Sequence, residues 1–133
     1  MTTLHSIRRL LLWTLIIAWA GAFLASHVPL PRFPPQMPGD KALHVAGFFV
    51  LTSLFLLALA SHRLGLDRRL PLTVCAMMLY GALDEITQPL ARRTRDLHDW
   101  YADVVGLLLA VAVWETLLFI LQRTRRRSTA GGA

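Results

Sequence analysis

Charged residues and cysteine are both scarce in this sequence. Only 17% of the 133 residues are charged, whereas soluble domains carry about 25%. The single cysteine, Cys75, excludes a disulfide framework and any zinc or iron–sulfur site built from several cysteines. An apolar fraction of 55% and a mean hydropathy of +0.50 exclude a disordered chain. The length allows one domain, and the composition predicts an integral membrane protein.

Four long apolar runs account for this composition. They cover residues 10–26, 42–61, 70–88 and 104–121. A helix needs about 17–25 residues to cross the hydrocarbon core, and these runs lack the apolar–polar alternation of membrane strands. We therefore predict an all-α integral membrane bundle of four transmembrane helices, at about 10–26, 42–61, 70–88 and 100–121, in one domain over residues 1–122. The first run also leaves a cleaved signal peptide open as an alternative, although its length favours an uncleaved anchor.

The positively charged residues predict the orientation in the membrane. Nine lysines and arginines fall in the amino terminus, the loop between runs two and three, and the carboxyl tail, against five in the other two loops. Because cytoplasmic loops are enriched in lysine and arginine, both termini should lie in the cytoplasm of a cell-membrane protein. Residues 123–133 are predicted to form a basic, disordered tail. The outer loop 27–39 carries five of the seven prolines, which favours an extended path.

Most of the acidic residues belong to one predicted side of the membrane. Six of the eight lie at the outer ends of runs two to four or in the loop joining the last two: Asp40, Asp84, Glu85, Asp96, Asp99 and Asp103. Charged groups at membrane depth are costly and usually mark function. Asp40 and Asp96 also suit helix caps. Glu115 lies apart, in the inner half of run four, where we expect it to pair with Arg8, Arg9 or Arg123.

Three segments of this polar set resemble one protein family. Residues 40–44 (DKALH), with Phe48 four residues on, look like the D-K-x-x-H-x-x-x-F segment of VanZ-like membrane proteins. Residues 85–88 (EITQ) resemble the family's E-x-x-Q. Residues 93–99 (RTRDLHD), followed by Asp103 and Gly106, resemble its R-x-x-x-x-x-D-x-x-x-N-x-x-G, with aspartate where the family usually has asparagine. The resemblance implies a link to tolerance of teicoplanin, a glycopeptide that binds lipid-linked cell-wall precursors.

The polar set predicts an outward-facing site for an anionic lipid head group of the cell envelope. Arginine and lysine suit phosphate, because the guanidinium group can bind it through two parallel hydrogen bonds. His44 and Glu85 are the candidates for acid–base catalysis, and whether the protein is an enzyme stays open. The residues predicted to bind the ligand are Asp40, Lys41, Gln88, Arg93, Arg95, Asp99 and Asp103. The expected partners are membrane lipids, including a lipid-linked cell-wall precursor, with no nucleic acid and no cofactor.

Two alternatives belong to other classes of protein. A metal-dependent enzyme would use His44 with nearby carboxylates, since oxygen-rich sites suit Mg²⁺, Ca²⁺ or Mn²⁺. No strict ligand spacing such as H-E-x-x-H is present, so no metal ligand is assigned. A structural protein would use the same residues as a buried ion-pair network that holds three helix ends together. A pathway for protons or ions is less favoured, because the polar residues do not extend across the bundle.

Overall fold

The chain folds into four long helices. A computed structural model describes residues 2–28, 39–93 and 95–130, and their side chains except at positions 2, 3, 40 and 125–130. The helices are α1 (Thr2–Ser26), α2 (Gly39–Ser61), α3 (Leu66–Thr87) and α4 (Leu97–Ala130), with a short 3₁₀ helix (Gln88–Ala91) after α3. The described ranges contain no strand. The all-α prediction is confirmed.

Each of the four helices contains a segment long and apolar enough to cross a membrane. These segments are Leu4–Ser26, Lys41–Ser61, Leu66–Ala91 and Leu97–Thr124. Large apolar side chains such as Leu10, Ile17 and Leu79 lie exposed on the outside of the bundle. In water such a surface would drive aggregation, whereas in a bilayer it contacts lipid tails. The prediction of a membrane protein with transmembrane helices therefore holds.

The helix ends differ from those expected from the apolar runs. α2 begins three residues earlier and α3 four residues earlier, so both include charged residues in their first turns. α4 continues to Ala130, through much of the segment predicted to be a disordered tail. Arginine and glutamine favour helices, and residues 107–130 contain no glycine or proline. The proline-rich stretch 29–38 lies outside the described residues, so its extended path stays a prediction.

α2 lies at the centre of the bundle, where it contacts α1, α3 and α4. It approaches α4 closely at Gly106, where an added Cβ atom would overlap the Val45 carbonyl oxygen. The core next to this contact consists of Phe48, Leu51, Met77 and Leu107. α2 and α4 begin at the same end of the bundle, and α1 and α3 finish there. We call this end the polar end, because it collects the buried carboxylates.

The opposite end, which we call the Arg69 end, contains one buried ion pair. Arg69 Nε lies 2.8 Å from Glu115 Oε1, and its Nη2 lies 2.5 Å from Oε2. Nη1 donates to the Leu64 carbonyl oxygen at 3.0 Å. The prediction that Glu115 pairs with Arg8, Arg9 or Arg123 is therefore wrong. The early start of α3 places Arg69 inside the bundle beside α4, while Arg8 donates to a backbone carbonyl of α2.

Candidate functional site

His44 lies between two carboxylates of α4. Its Nδ1 is 2.8 Å from Asp103 Oδ1, a hydrogen-bonding distance. Its Nε2 is 3.7 Å from Asp99 Oδ2, an ion-pair distance. α2 and α4 supply this geometry because they run in the same direction and because Asp99 and Asp103 are four residues apart on one face of α4. Three predicted site residues thus converge.

Lys41 connects this group to the surface. Its Nζ lies 3.2 Å from Asp99 Oδ1 and 3.3 Å from Asp96 Oδ2, and 54% of its side chain is exposed. From Lys41 through Asp99 and His44, the polar contacts lead inward to Asp103, which is 1% exposed. Asp103 Oδ2 is buried and has no hydrogen-bond partner among the described residues.

Gln88 holds the two consecutive acids at the end of α3. Its Nε2 lies 3.2 Å from Asp84 Oδ2 and 3.2 Å from Glu85 Oε1. The backbone N–H of Asp96 donates to Glu85 Oε2 at 3.1 Å. Acids near a helix carboxyl end are disfavoured by the helix dipole, so they need donors. A neutral amide and a backbone N–H provide these donors.

The end of α1 completes the cluster, and the sequence interpretation missed its contribution. Ser26 Oγ donates to Asp84 Oδ1 at 2.5 Å. His27 Nε2 lies 2.9 Å from Thr87 Oγ1, and its Nδ1 lies 3.8 Å from Asp84 Oδ1. The sequence did contain one sign of this contribution, because Ser26 and His27 are polar residues at the end of an apolar run. Their partners depend on which helix lies beside α1, and the pattern of α1 does not reveal this.

Ser26, His27 and Asp84 do not form a nucleophilic triad. His27 Nδ1 is 3.0 Å from Ser26 Oγ, but it also lies 2.7 Å from the Phe23 carbonyl oxygen, which can only accept a hydrogen bond. Nδ1 therefore carries a hydrogen and cannot act as the base for the serine. In a triad the base faces the nucleophile and the acid contacts the other ring nitrogen. These contacts connect α1 to α3.

The arginines of the polar end bond to backbone carbonyls. Arg93 Nη1 donates to the Ser26 carbonyl oxygen at 2.6 Å, and Arg95 Nη2 to that of Ile86 at 3.1 Å. In the described part of the chain, neither arginine forms an ion pair with Glu85. Arg92 and Arg95 lie exposed. Arg92 also has a positive φ of 60°, in the left-handed region that usually favours glycine.

Asp96 caps the start of α4, which is the helix-capping role that its position in the sequence suggested. Its Oδ1 accepts the backbone N–H of His98 at 2.9 Å. This bond, the His98 side chain and Lys41 lower the pKa of Asp96 to about 2. The carboxylate is therefore charged at neutral pH. The side chain of Asp40, the other predicted cap and ligand-binding residue, lies outside the described ones.

The described residues contain no group of three or more histidine, cysteine, aspartate or glutamate side chains arranged to hold a metal ion. The pairs around His44 do not converge on one point at coordinating distance. Within ranges 2–28, 39–93 and 95–130, no such set of side chains supports the alternative of a metal-dependent enzyme.

Comparisons of the chain with protein-family models, curated proteins and solved structures find no match. The resemblance to VanZ-like proteins stays a prediction based on the three segments. These segments meet at the polar end through the contacts of Lys41 with Asp99, His44 with Asp103, and Glu85 with Asp96.

Proposed function

We propose that the chain is a multi-pass protein of the cell membrane whose polar end faces outward and binds an anionic lipid head group. The observation that carries this proposal is the arrangement of charge at that end. Four carboxyl groups of the polar end are buried and bonded to neighbouring groups and that of Asp96 is partly exposed, whereas Lys41, Arg92 and Arg95 lie at the surface. An approaching ligand meets the exposed cations first, and these suit a phosphate group.

The depth of these cations supports a lipid as the ligand. Lys41 begins the apolar segment of α2, and Arg92 and Arg95 lie between the apolar segments of α3 and α4. In a bilayer, residues that flank the apolar segments lie at the level of the head groups. A lipid phosphate could therefore reach the arginines while its acyl chains stay beside the exposed leucines.

His44 and Glu85 remain the acid–base candidates if the bound head group is modified. Asp103 can fix the orientation of the His44 ring through Nδ1, which leaves Nε2 toward Asp99 and the surface. When Asp103 is ionised, Nδ1–H of His44 donates to its carboxylate and Nε2 can act as the base, an arrangement that recurs in enzymes. Glu85 is tied to Gln88 and to the backbone of Asp96 and is the less accessible of the two.

The orientation can be tested with cysteines at the two ends of the bundle. In a Cys75→Ser background, Leu90→Cys reports on the polar end and His62→Cys on the loop before α3; both positions are exposed. We expect an impermeant thiol reagent to label Leu90→Cys in intact cells and His62→Cys only after lysis. The opposite pattern would reverse the orientation and place the site in the cytoplasm.

Lipid binding can be tested with two arginines that share one backbone conformation. Arg92 at the polar end and Arg63 at the Arg69 end both have φ near +60°. Arg63→Gly therefore removes the same backbone strain and the same charge as Arg92→Gly. The Arg92→Gly/Arg95→Gln double variant removes both exposed loop cations, with Arg63→Gly/Arg68→Gln as the matched control.

We expect added phosphatidylglycerol to raise the thermal midpoint of the parent and of the control in detergent. A ligand at 100 times its dissociation constant stabilises a protein by about 2.7 kcal/mol. The polar-end double variant should lose most of this shift, and phosphatidylcholine should produce little shift in any of the three proteins. An equal phosphatidylglycerol shift in all three would contradict the proposal.

A specific observation also favours the structural alternative. Apart from Asp103 Oδ2, the buried carboxyl groups of the polar end have partners within the protein: Asp84, Glu85 and Asp99 are each bonded to a neighbouring side chain or backbone group. Such a network can fasten helix ends without a ligand. The lipid experiment separates the two, because a purely structural network has no lipid-dependent shift to lose.

The resemblance to VanZ-like proteins extends the proposal to lipid-linked cell-wall precursors and to glycopeptide tolerance. Such a precursor carries phosphate at the head-group level, where Arg92 and Arg95 would contact it. We expect expression of the parent to raise the inhibitory concentration of teicoplanin, and the Arg92→Gly/Arg95→Gln variant not to do so at equal membrane levels. If expression of the parent does not raise the inhibitory concentration of teicoplanin, the proposed link to glycopeptide tolerance is wrong, whether or not the protein binds lipid.

A further inference from the structure

Asp103 is the most deeply buried carboxyl group of the polar end. Oδ1 lies 2.8 Å from His44 Nδ1, and Oδ2 has no partner among the described residues. A Cβ atom added at Gly81 would lie 3.4 Å from Oδ2 and 3.1 Å from the Phe48 ring. The backbone of α3 and an aromatic ring thus close the space on this side of Oδ2.

Burial makes the ionised form of Asp103 unfavourable, and the neighbouring acids add to this effect, whereas contact with His44 opposes it. Asp84 and Glu85 approach it from α3, and Asp99 lies one turn away on α4. On the other side, α2 supplies His44 in direct contact and Lys41, whose ammonium group is already shared by Asp96 and Asp99. A further negative charge here would have one oxygen without a donor, and burying such a charge is costly.

We propose that Asp103 is a buried proton-binding site. The neutral carboxyl group donates its Oδ1–H to Nδ1 of a neutral His44, and Oδ2 becomes a carbonyl oxygen that does not require a donor. The charges of Lys41 and Asp99 then cancel, so the connected polar side chains from Lys41 to Asp103 carry no net charge in total. A metal cation does not fit, because the space beside Oδ2 is closed and the described residues supply no third donor.

The same contacts provide a route for the proton. The Oδ1–H bond of Asp103 breaks as Nδ1–H forms, while Nε2–H of His44 breaks as a proton joins Asp99 Oδ2. The ring is neutral before and after, and the negative charge moves from Asp99 to Asp103. The 3.7 Å gap between Nε2 and Asp99 must first shorten to a hydrogen bond. This site does not depend on lipid binding, and it would exist in the structural alternative as well.

Infrared spectroscopy tests the proposal directly, because a protonated carboxyl group has a carbonyl stretching band that a carboxylate lacks. The measurement uses the full chain in detergent at pH 5, in H₂O and in D₂O. We expect a carboxylic acid band that shifts in D₂O, is lost in Asp103→Asn and persists in Asp99→Asn. Asp99→Asn is the matched control, since it changes the neighbouring carboxylate on the same face of α4.

Gly81→Ala provides a second measurement if Asp103→Asn does not fold. Its methyl group would lie 3.4 Å from Asp103 Oδ2, so the band should change frequency, whereas Gly47→Ala, where no atom lies within 4 Å, should leave it unchanged. A parent spectrum without a carboxylic acid band would overturn the proposal. So would a band that survives Asp103→Asn, or one that is insensitive to Gly81→Ala, because the proton would then belong to another carboxyl group.

Discussion

The two ends of the bundle handle buried charge in different ways. At the Arg69 end, one guanidinium group and one carboxylate satisfy each other through two hydrogen bonds, and a backbone carbonyl accepts a third. At the polar end, the acids share an amide, a hydroxyl, an imidazole and an ammonium group, and one oxygen has no partner in the described chain. A complete pair stabilises the fold, whereas an incomplete cluster can accept a ligand or a proton.

The arginines sharpen this comparison. Arg69 is buried and uses its guanidinium group within the protein, so it has little left to offer a ligand. Arg92 and Arg95 are exposed, and Arg95 bonds to the backbone through one nitrogen. Arginines at the two ends of a membrane protein can therefore have different chemical roles.

Breaking the Arg69–Glu115 pair should have the largest effect on stability. Arg69→Leu leaves the Glu115 carboxylate without its partner, which costs about 3–5 kcal/mol when one side of a buried pair is removed. The Arg69→Leu/Glu115→Leu double variant should recover most of this loss, because no unpaired charge remains. Unfolding in mixed micelles of increasing denaturing detergent measures both. A double variant as unstable as the single one would show that the pair is not the cause.

Ser26 and Ser61 compare the two ends through the same substitution. Both end a helix, and both hydroxyls contact the carbonyl oxygen three residues back. Only Ser26 also donates to a buried carboxylate, Asp84. Ser26→Ala should therefore cost about 1–3 kcal/mol of unfolding free energy, and Ser61→Ala less than about 0.5 kcal/mol. Equal losses in the same mixed-micelle experiment would mean that the Ser26–Asp84 bond adds nothing.

Gly106→Ala should separate α2 from α4 near the polar end. The added methyl group would overlap the Val45 carbonyl oxygen, so the helices must move apart, at a cost of about 1–3 kcal/mol. Gly47→Ala is the matched control on α2, because its added atom meets nothing within 4 Å. We expect the control to unfold at the parent's detergent concentration or slightly above it. A Gly106→Ala variant as stable as this control would contradict the close approach.

The smallest expected effect concerns the charge on Asp96. Its pKa is lowered to about 2 in the folded protein, so ionised Asp96 stabilises the fold above its ordinary pKa of 3.8. This contribution is lost as the pH falls from about 4 to about 2. Asp96→Asn keeps a capping side chain without the charge. The difference in thermal midpoint between parent and variant should shrink over this pH range, and a constant difference would argue against the lowered pKa.

The four membrane-spanning helices and the clustering of the polar residues could be predicted from simple properties of the sequence. Apolar runs of sufficient length predicted four helices, and the polar residues at the ends of three runs predicted one cluster. His44, Asp99 and Asp103 do converge, because spacings of three and four residues place side chains on one face of a helix. The predicted first residues of α2 and α3 were too late in the sequence, because the first turn of a helix can consist of charged residues that precede the apolar run.

The specific partners could not be predicted. Glu115 contacts Arg69, and Arg93 contacts the backbone of Ser26, because of how each helix is rotated and which helices are neighbours. A single helix pattern shows which face is polar, but it does not show what that face contacts. The contribution of His27 depended on the same missing information. These interactions become visible only when all the helices are assembled.

α1 contacts the other helices near both of its ends and through Trp19, which stacks on Phe55 and whose carbonyl oxygen accepts a hydrogen bond from Tyr80. Arg8 bonds to the end of α2, Ser26 bonds to Asp84 and Arg93, and Leu15 is the one buried residue among its described side chains. Its partners at the polar end lie 58 to 67 residues further along the chain, whereas its partners on α2 lie closer in sequence. During synthesis α1 can therefore pack against α2 first, and the contacts that hold its end to α3 and to the following loop form only after Asp84 and Arg93 have been translated.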